Sequence, residues 1–131
     1  MAAKTTAHVI AAGGVVLYPT DTLYGLGADA LSNEAVAKVY DLKGRDERKP
    51  IHAIVADEEM MEAYAELGGS AKALASQFLP GALTLVLRKK EGVEGGIAKG
   101  RTTIGLRIPN DEFCLALARI LGRPYTTTSA R

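Results

Sequence analysis

The sequence predicts an α/β layered domain, a sheet covered by helices. Three observations predict it. Short apolar runs of strand length, such as Gly14-Val15-Val16-Leu17-Tyr18, alternate with segments whose apolar residues recur at helical spacing. Capping residues and stop glycines mark the boundaries, at Ser32-Asn33, Gly44, Asp57 and Gly122 among others. The alternation runs through all 131 residues with no internal repeat, linker or low-complexity tract, so one domain spanning residues 1–131 is expected.

In chain order, Thr5 or Thr6 caps a short helix through His8, Val9 and Ala12, closed by Gly13-Gly14. Residues 14–18 are a continuous apolar run and read as a strand buried on both faces. Pro19 cannot donate to a ladder and should end it. Residues 19–29 are rich in Thr, Asp and Gly and read mostly as loop. Ser32 or Asn33 caps a helix carrying Ala35, Val36, Val39 and Tyr40 at helical spacing, with Gly44 at its end. Residues 51–55 are a second buried strand. Asp57-Glu58-Glu59 puts acid in the first turn of a helix reaching Leu67, before Gly68-Gly69. Ser70 caps a helix through Leu74 and Phe78 that Pro80-Gly81 ends. Residues 83–87 are a third strand, and the polar, Gly-rich residues 89–101 read as a mobile loop or hairpin connection. Residues 103–108 form a strand. Asn110 caps a helix with Phe113, Leu117 and Ile120 on one face, closed by Gly122, and residues 125–128 are the last strand.

Composition excludes several classes. The chain is 47% hydrophobic and 24% charged, an ordinary globular mixture. A net charge of +1 gives no global basic field for nucleic acid, though it leaves local clusters open. Cys114 is the only cysteine, which excludes an internal disulfide and fits a reducing compartment. With His8 and His52 as the only histidines, no zinc spacing can be assembled, and no protein-held metal is expected. No apolar run approaches the ~20 residues that span a bilayer, and no signal-peptide core follows Lys4. A cytoplasmic protein with no membrane partner is expected.

The densest polar cluster is Pro19-Thr20-Asp21-Thr22-Leu23-Tyr24-Gly25-Leu26-Gly27. It follows a strand, and open α/β sheets bind ligands at strand C-terminal ends. A plain turn held by Asx or Ser/Thr bonds is an equal alternative. Gly25-Leu26-Gly27-Ala28-Asp29-Ala30 matches G-x-G-x-x-A, but no helix follows directly, so a dinucleotide site is disfavoured. Lys43, Arg45, Arg48 and Lys49 supply the charge and N–H forks a phosphate needs. Basic residues also favour helix C-termini, and Asp46 and Glu47 partly neutralise the run. Arg107 lies inside an apolar strand and faces away from Leu106 and Ile108. Left unpaired there it would be costly, so a structural carboxylate or a substrate carboxylate or phosphate should meet it. His52, inside an apolar strand, reads as a core histidine before a catalytic base. Tyr24 and Tyr40 could stack on a base, with core packing favoured for Tyr40. Thr126-Thr127-Thr128-Ser129 is a hydroxyl-rich strand end with no nucleophile elbow around its serine.

Taken in order, these segments resemble one family. After the Val-rich strand come Pro19-Thr20-Asp21-Thr22-Leu23-Tyr24-Gly25-Leu26, Lys43-Gly44-Arg45 and Lys49-Pro50. Leu79-Pro80-Gly81-Ala82-Leu83-Thr84-Leu85, Gly105-Leu106-Arg107-Ile108-Pro109 and Thr127-Thr128-Ser129-Ala130 follow. This series resembles the YrdC-like L-threonylcarbamoyladenylate synthases. The resemblance implies a twisted mixed sheet flanked by helices around a basic concave cavity. It implies conversion of L-threonine, bicarbonate and ATP, with Mg2+, to threonylcarbamoyl-AMP and pyrophosphate, a nucleotidyltransferase reaction. Partner proteins would then modify tRNA. Carried over by motif, Thr20, Thr22, Tyr24 and Arg107 would bind threonine, Arg107 through its carboxylate. Lys43 and Arg45 would be catalytic at the phosphates, extended by Lys49, with Thr128 and Ser129 on the nucleotide. The family continues beyond Ser-Ala with Asn, where Arg131 stands here as the last residue, so the C-terminal part is expected to be absent. Two competing readings accompany this one: a module binding tRNA or double-stranded RNA without turnover, and a carbamoyl-adenylate step like that of hydrogenase maturation proteins.

Overall fold

A computed structural model describes residues 3–19, 24–44, 49–81 and 83–129, with the backbone but not the side chain of Ser129. These residues form helices α1 (Ala3–Ala11), α2 (Asn33–Lys43), α3 (Glu58–Tyr64), α4 (Gly69–Phe78) and α5 (Glu112–Leu121). The strands are β1 (Val16–Pro19), β2 (Tyr24–Gly27), β3 (Ala53–Ile54), β4 (Thr84–Arg88), β5 (Thr103–Arg107), β6 (Tyr125–Thr126) and β7 (Thr128–Ser129). A small sheet runs β1-β2-β7, all antiparallel. A larger one runs β4-β5-β3-β6 and is mixed, with β3 parallel to β5 and antiparallel to β6. The expected twisted mixed sheet with flanking helices is what the chain forms.

Alternation along β3 divides the apolar side chains between two cores. Ala53 and Val55 join Val36, Val39, Met61, Ile104 and Leu106 under α2, α3 and α4. Ile54 and Ala56 join Ile10, Tyr18, Leu117 and Tyr125 beneath α1 and α5. Helices therefore cover both faces of the large sheet, the arrangement that buries both sides of a strand. Capping follows the sequence where a polar side chain fits. Ser32 accepts the Ala35 amide at 3.2 Å, and Asp57 accepts the Met60 amide at 2.8 Å. Gly44 closes α2 at φ +60° and Gly122 closes α5 at φ +74°, left-handed positions that favour glycine.

Several boundaries differ from the sequence expectation, each for a local reason. The helix assigned to a Thr5 or Thr6 cap begins at Ala3, and Thr6 is buried inside it. The 14–18 run is not buried on both faces. β1 lies at the margin of the small sheet, so Tyr18 is buried while Leu17 is 57% exposed. Pro19 closes β1 without harm, paired to Tyr24 at the margin. Residues 24–27, expected to be loop, are a strand. Their glycines serve close approach: a Cβ at Gly25 would stand 2.8 Å from Tyr18 Cζ, and one at Gly27 would stand 3.0 Å from Tyr18 Cε1. α3 ends at Tyr64, before Leu67, because the Glu66 amide turns to Arg88 O at 2.8 Å. Gly68, not Ser70, precedes α4, and Asp111, not Asn110, caps α5 by accepting the Cys114 amide at 3.0 Å. On α5 the buried face is Cys114, Leu117 and Ala118, leaving Ile120 52% exposed.

Residues 89–101 form the β4–β5 hairpin connection, and part of it is firmly built in. Its 3-10 turn, Gly96–Ala98, buries Ile97 and Ala98. The Gly96 amide donates to Asn33 Oδ1 at 2.7 Å, and a Cβ at Gly96 would overlap the Ala30 carbonyl. The last strand expected over 125–128 breaks at Thr127 into β6 and β7, which belong to different sheets.

Candidate functional site

β5 carries two faces of opposite character. Ile104, Leu106 and Ile108 enter the core under α2–α4. Gly105 and Arg107 face the other way, as the alternation requires. Register extends that second face across the sheet. Ile54 stands beside Arg107 on β3, and Tyr125 stands beside Ile54 on β6, both beneath α1 and α5. One position further, this cover stops. His52 is half-buried, Val86 is 62% exposed and Thr103 is exposed. The result is a sheet face that is closed at one end and open at the other, with Arg107 at the boundary.

His52 is the main correction to the sequence reading. Its neighbours Ile51 and Ala53 are buried, but His52 itself turns to the Arg107 face. Its ring lies over Gly105, so close that a Cβ there would overlap it, with Cγ and Nε2 at 2.9 Å. Thr127 is the second group the sequence reading passed over. It is half-buried, its amide donates to His52 O at 2.9 Å, and alternation from Tyr125 puts it on the same face. A signal existed for both: each sits one position out of phase with buried neighbours.

Arg107 is half-buried, and its Nε is enclosed without a hydrogen-bond partner among the described residues. A guanidinium nitrogen enclosed in this way is costly to leave unpaired, and a carboxylate or phosphate oxygen suits it. Tyr18 lies close by. Burial pushes its phenol well above the ordinary value, while a hydrogen bond with Thr127 and the Arg107 charge pull the other way. The phenol therefore stays neutral and donates to Thr126 O at 3.2 Å. Behind it, Tyr18 and Tyr125 meet edge to face at 5.6 Å, and Tyr125 donates to Cys114 O at 2.9 Å. Burial pushes the Cys114 thiol up to about 11, so it is inert at neutral pH.

Other expected residues fall in different places. Thr20, Thr22 and Arg45 lie outside the described residues, as does the side chain of Ser129. Ser129 pairs with Gly25 through β7. Thr128 pairs with Leu26, on the side of the small sheet that meets the α2 core, and is buried. Tyr24, two positions from Leu26 on the same strand, shares that side and is 57% exposed. The structure therefore does not bring Tyr24 and Thr128 onto the Arg107 face. Lys43 is half-buried in the last turn of α2, and Lys49 is exposed beyond residues 45–48. Tyr40 is core, its hydroxyl donating to Lys49 O at 2.7 Å. The glycines of the G-x-G match lie on β2, not in a strand-to-helix turn. Two described cavities, of about 480 Å³ between α1 and α5 and about 360 Å³ beside α2, involve none of the residues assigned to threonine or phosphate; Tyr40 lines the second. Among the described residues, no group of His, Cys, Asp and Glu could hold a metal ion. No helix among them is long and apolar enough to cross a membrane.

Comparison with known proteins bears on the family and the fold. Residues 8–131 match the Sua5_yciO_yrdC family model, described as telomere recombination. The chain is 40% identical over 128 residues to a threonylcarbamoyl-AMP synthase of Pyrococcus abyssi, covering 97% of this chain and 38% of that one. It is 40% identical over 121 residues to a threonylcarbamoyl-AMP synthase of Bacillus subtilis, covering 88% and 34%. The fold superposes on P. abyssi Sua5 complexed with L-threonine with a TM-score of 0.90, at 39% identity, covering 98% of this chain and 38% of that chain. The chain thus spans little more than a third of the length of these relatives. By match, identity and fold, it belongs to the Sua5/YciO/YrdC family.

Proposed function

We propose that residues 1–131 act as a single YrdC-like domain that makes threonylcarbamoyl-AMP and pyrophosphate from L-threonine, bicarbonate and ATP. The observation that carries this is Arg107: its enclosed Nε has no hydrogen-bond partner among the described residues, and it stands at the mouth of an open sheet face. An amino-acid carboxylate fits that fork, and a solved relative is named as a complex with L-threonine. His52 and Thr127 add polar groups beside it that could meet the hydroxyl or amine. Thr20 and Thr22 are assigned to the same substrate by motif.

The chemistry asks for placement more than for acid–base groups. The threonine amine attacks the bicarbonate carbon, and water leaves to give a carbamate. A carbamate oxygen then attacks the α-phosphorus of ATP, and the bond to pyrophosphate breaks. Alignment lowers the first barrier. Positive charge stabilises the second step, and Lys43, Arg45 and Lys49 are assigned that role. ATP enters as its magnesium complex, with the ion travelling on the phosphates. This is a nucleotidyl transfer, and the product would pass to partner proteins that modify tRNA in the cytoplasm.

The test is ATP–pyrophosphate exchange. Exchange that requires both L-threonine and bicarbonate is expected. Exchange that ignores either, or none at all, contradicts the proposal for this chain.

A further inference from the structure

The β4–β5 connection leaves a cavity of about 360 Å³ against α2. Val36, Tyr40 and Ile97 line it and belong to the core under α2–α4, so it lies on the sheet side opposite the Arg107 face. One wall is a stripe of α2, with Asn33, Val36 and Tyr40 at helical spacing. The other is the 3-10 turn and the residues after it, Ile97 to Arg101. The two walls are tied together. The Gly96 amide donates to Asn33 Oδ1 at 2.7 Å, and the Ile97 amide donates to Ala30 O at 2.9 Å. Turn bonds hold the second wall, from the Lys99 amide to Gly96 O at 3.2 Å and from the Arg101 amide to Ala98 O at 3.1 Å. Fixed backbone therefore frames the space.

Its polar groups are mostly donors. Lys99 and Arg101 bring two positive charges, and no Asp or Glu lines the cavity. Lys99 is exposed and forms no ion pair among the described residues. The Gly100 amide, at φ +70°, forms no hydrogen bond among them either. Asn33 Oδ1 is engaged by Gly96, which leaves Nδ2 to donate. We propose that this cavity binds a small phosphate monoester, at a site separate from the one assigned to L-threonine and ATP. Two cations balance the two charges of a monoester, and its three terminal oxygens take several N–H donors at once. A phosphodiester brings a single charge, and a nucleic-acid backbone asks for a row of cations along a surface instead.

The test is titration of the full chain with phenyl phosphate at about pH 8, where a monoester carries two charges, followed by amide NMR shifts. Saturable shifts at Lys99 and Gly100 are expected. Dimethyl phosphate, a diester, should bind at least about fivefold more weakly. Lys99→Gln should weaken phenyl phosphate about three- to fivefold, and Lys99→Gln with Arg101→Gln should abolish saturation. Lys49→Gln should leave the Gly100 response intact, because Lys49 is assigned to the other site. No saturable shift at Gly100, equal binding of dimethyl phosphate, or parent-like binding by Lys99→Gln overturns the proposal. Loss of the Gly100 response in Lys49→Gln also overturns it, since the ester would then sit with the ATP phosphates. Should the double variant not fold, Lys99→Gln alone decides. Failure of ATP–pyrophosphate exchange with these shifts intact would remove the proposed function and leave this site standing.

Discussion

The two ends of one sheet face differ more than the two faces of the sheet do. At one end, Ile54 and Tyr125 disappear beneath α1 and α5 with Leu117, Ile10 and Tyr18. At the other, Val86 is exposed, His52 is half-buried with its ring over Gly105, and Arg107 stands at the border. Strand chemistry is similar at both ends. What differs is the helix pair, which covers only part of the sheet. A polar group placed where the core stops keeps access to a ligand while its neighbours hold it still.

Substitutions on either side of that border should separate stability from binding. The largest effect is expected at the covered end. Leu117→Ala opens a cavity beneath α5 and should cost about 2–5 kcal/mol in denaturant unfolding. L-threonine affinity should survive in the folded fraction. Next comes the border itself. Arg107→Ala should weaken L-threonine binding by about 1.5–3 kcal/mol, the worth of a charged hydrogen bond. It should change stability by less than about 1 kcal/mol, because an enclosed guanidinium whose Nε has no hydrogen-bond partner among the described residues contributes little to the fold. Denaturation and titration on one preparation check both halves.

A smaller change is expected at the open end. Gly105→Ala forces the His52 ring aside and should reduce L-threonine affinity roughly three- to tenfold. Equal affinity would show that the His52 position is unimportant. The smallest effect concerns pH. The folded Cys114 thiol holds its proton up to about 11, against an ordinary value of 9.0. A raised folded pKa contributes stability that is complete below pH 9 and drains as pH rises towards 11. The unfolding midpoint should therefore fall across that window, and Cys114→Ala should flatten part of the fall.

Much of this was legible in the sequence, and the failures have physical causes. Periodicity located the five described α-helices, because an apolar stripe and its caps are local signals. It placed Arg107 correctly on the face away from Leu106 and Ile108. It misread residues 24–27, because glycine signals a loop by propensity and a close backbone approach by packing, and only the Tyr18 ring tells the two apart. It assigned His52 to the core, because an apolar strand read without its partners does not reveal which face is covered. Thr127 was passed over because a break between two sheets leaves no mark in a run of threonines. The family motifs, in contrast, were legible as an ordered series, and the match over residues 8–131 agrees with them.

The central claim is that the border between covered and open sheet receives the carboxylate of L-threonine on Arg107. Calorimetric titration of L-threonine into the parent chain, Arg107→Ala and Leu117→Ala tests it most directly. Binding retained by Leu117→Ala and lost in Arg107→Ala is the predicted result. Equal binding by Arg107→Ala and the parent would contradict it.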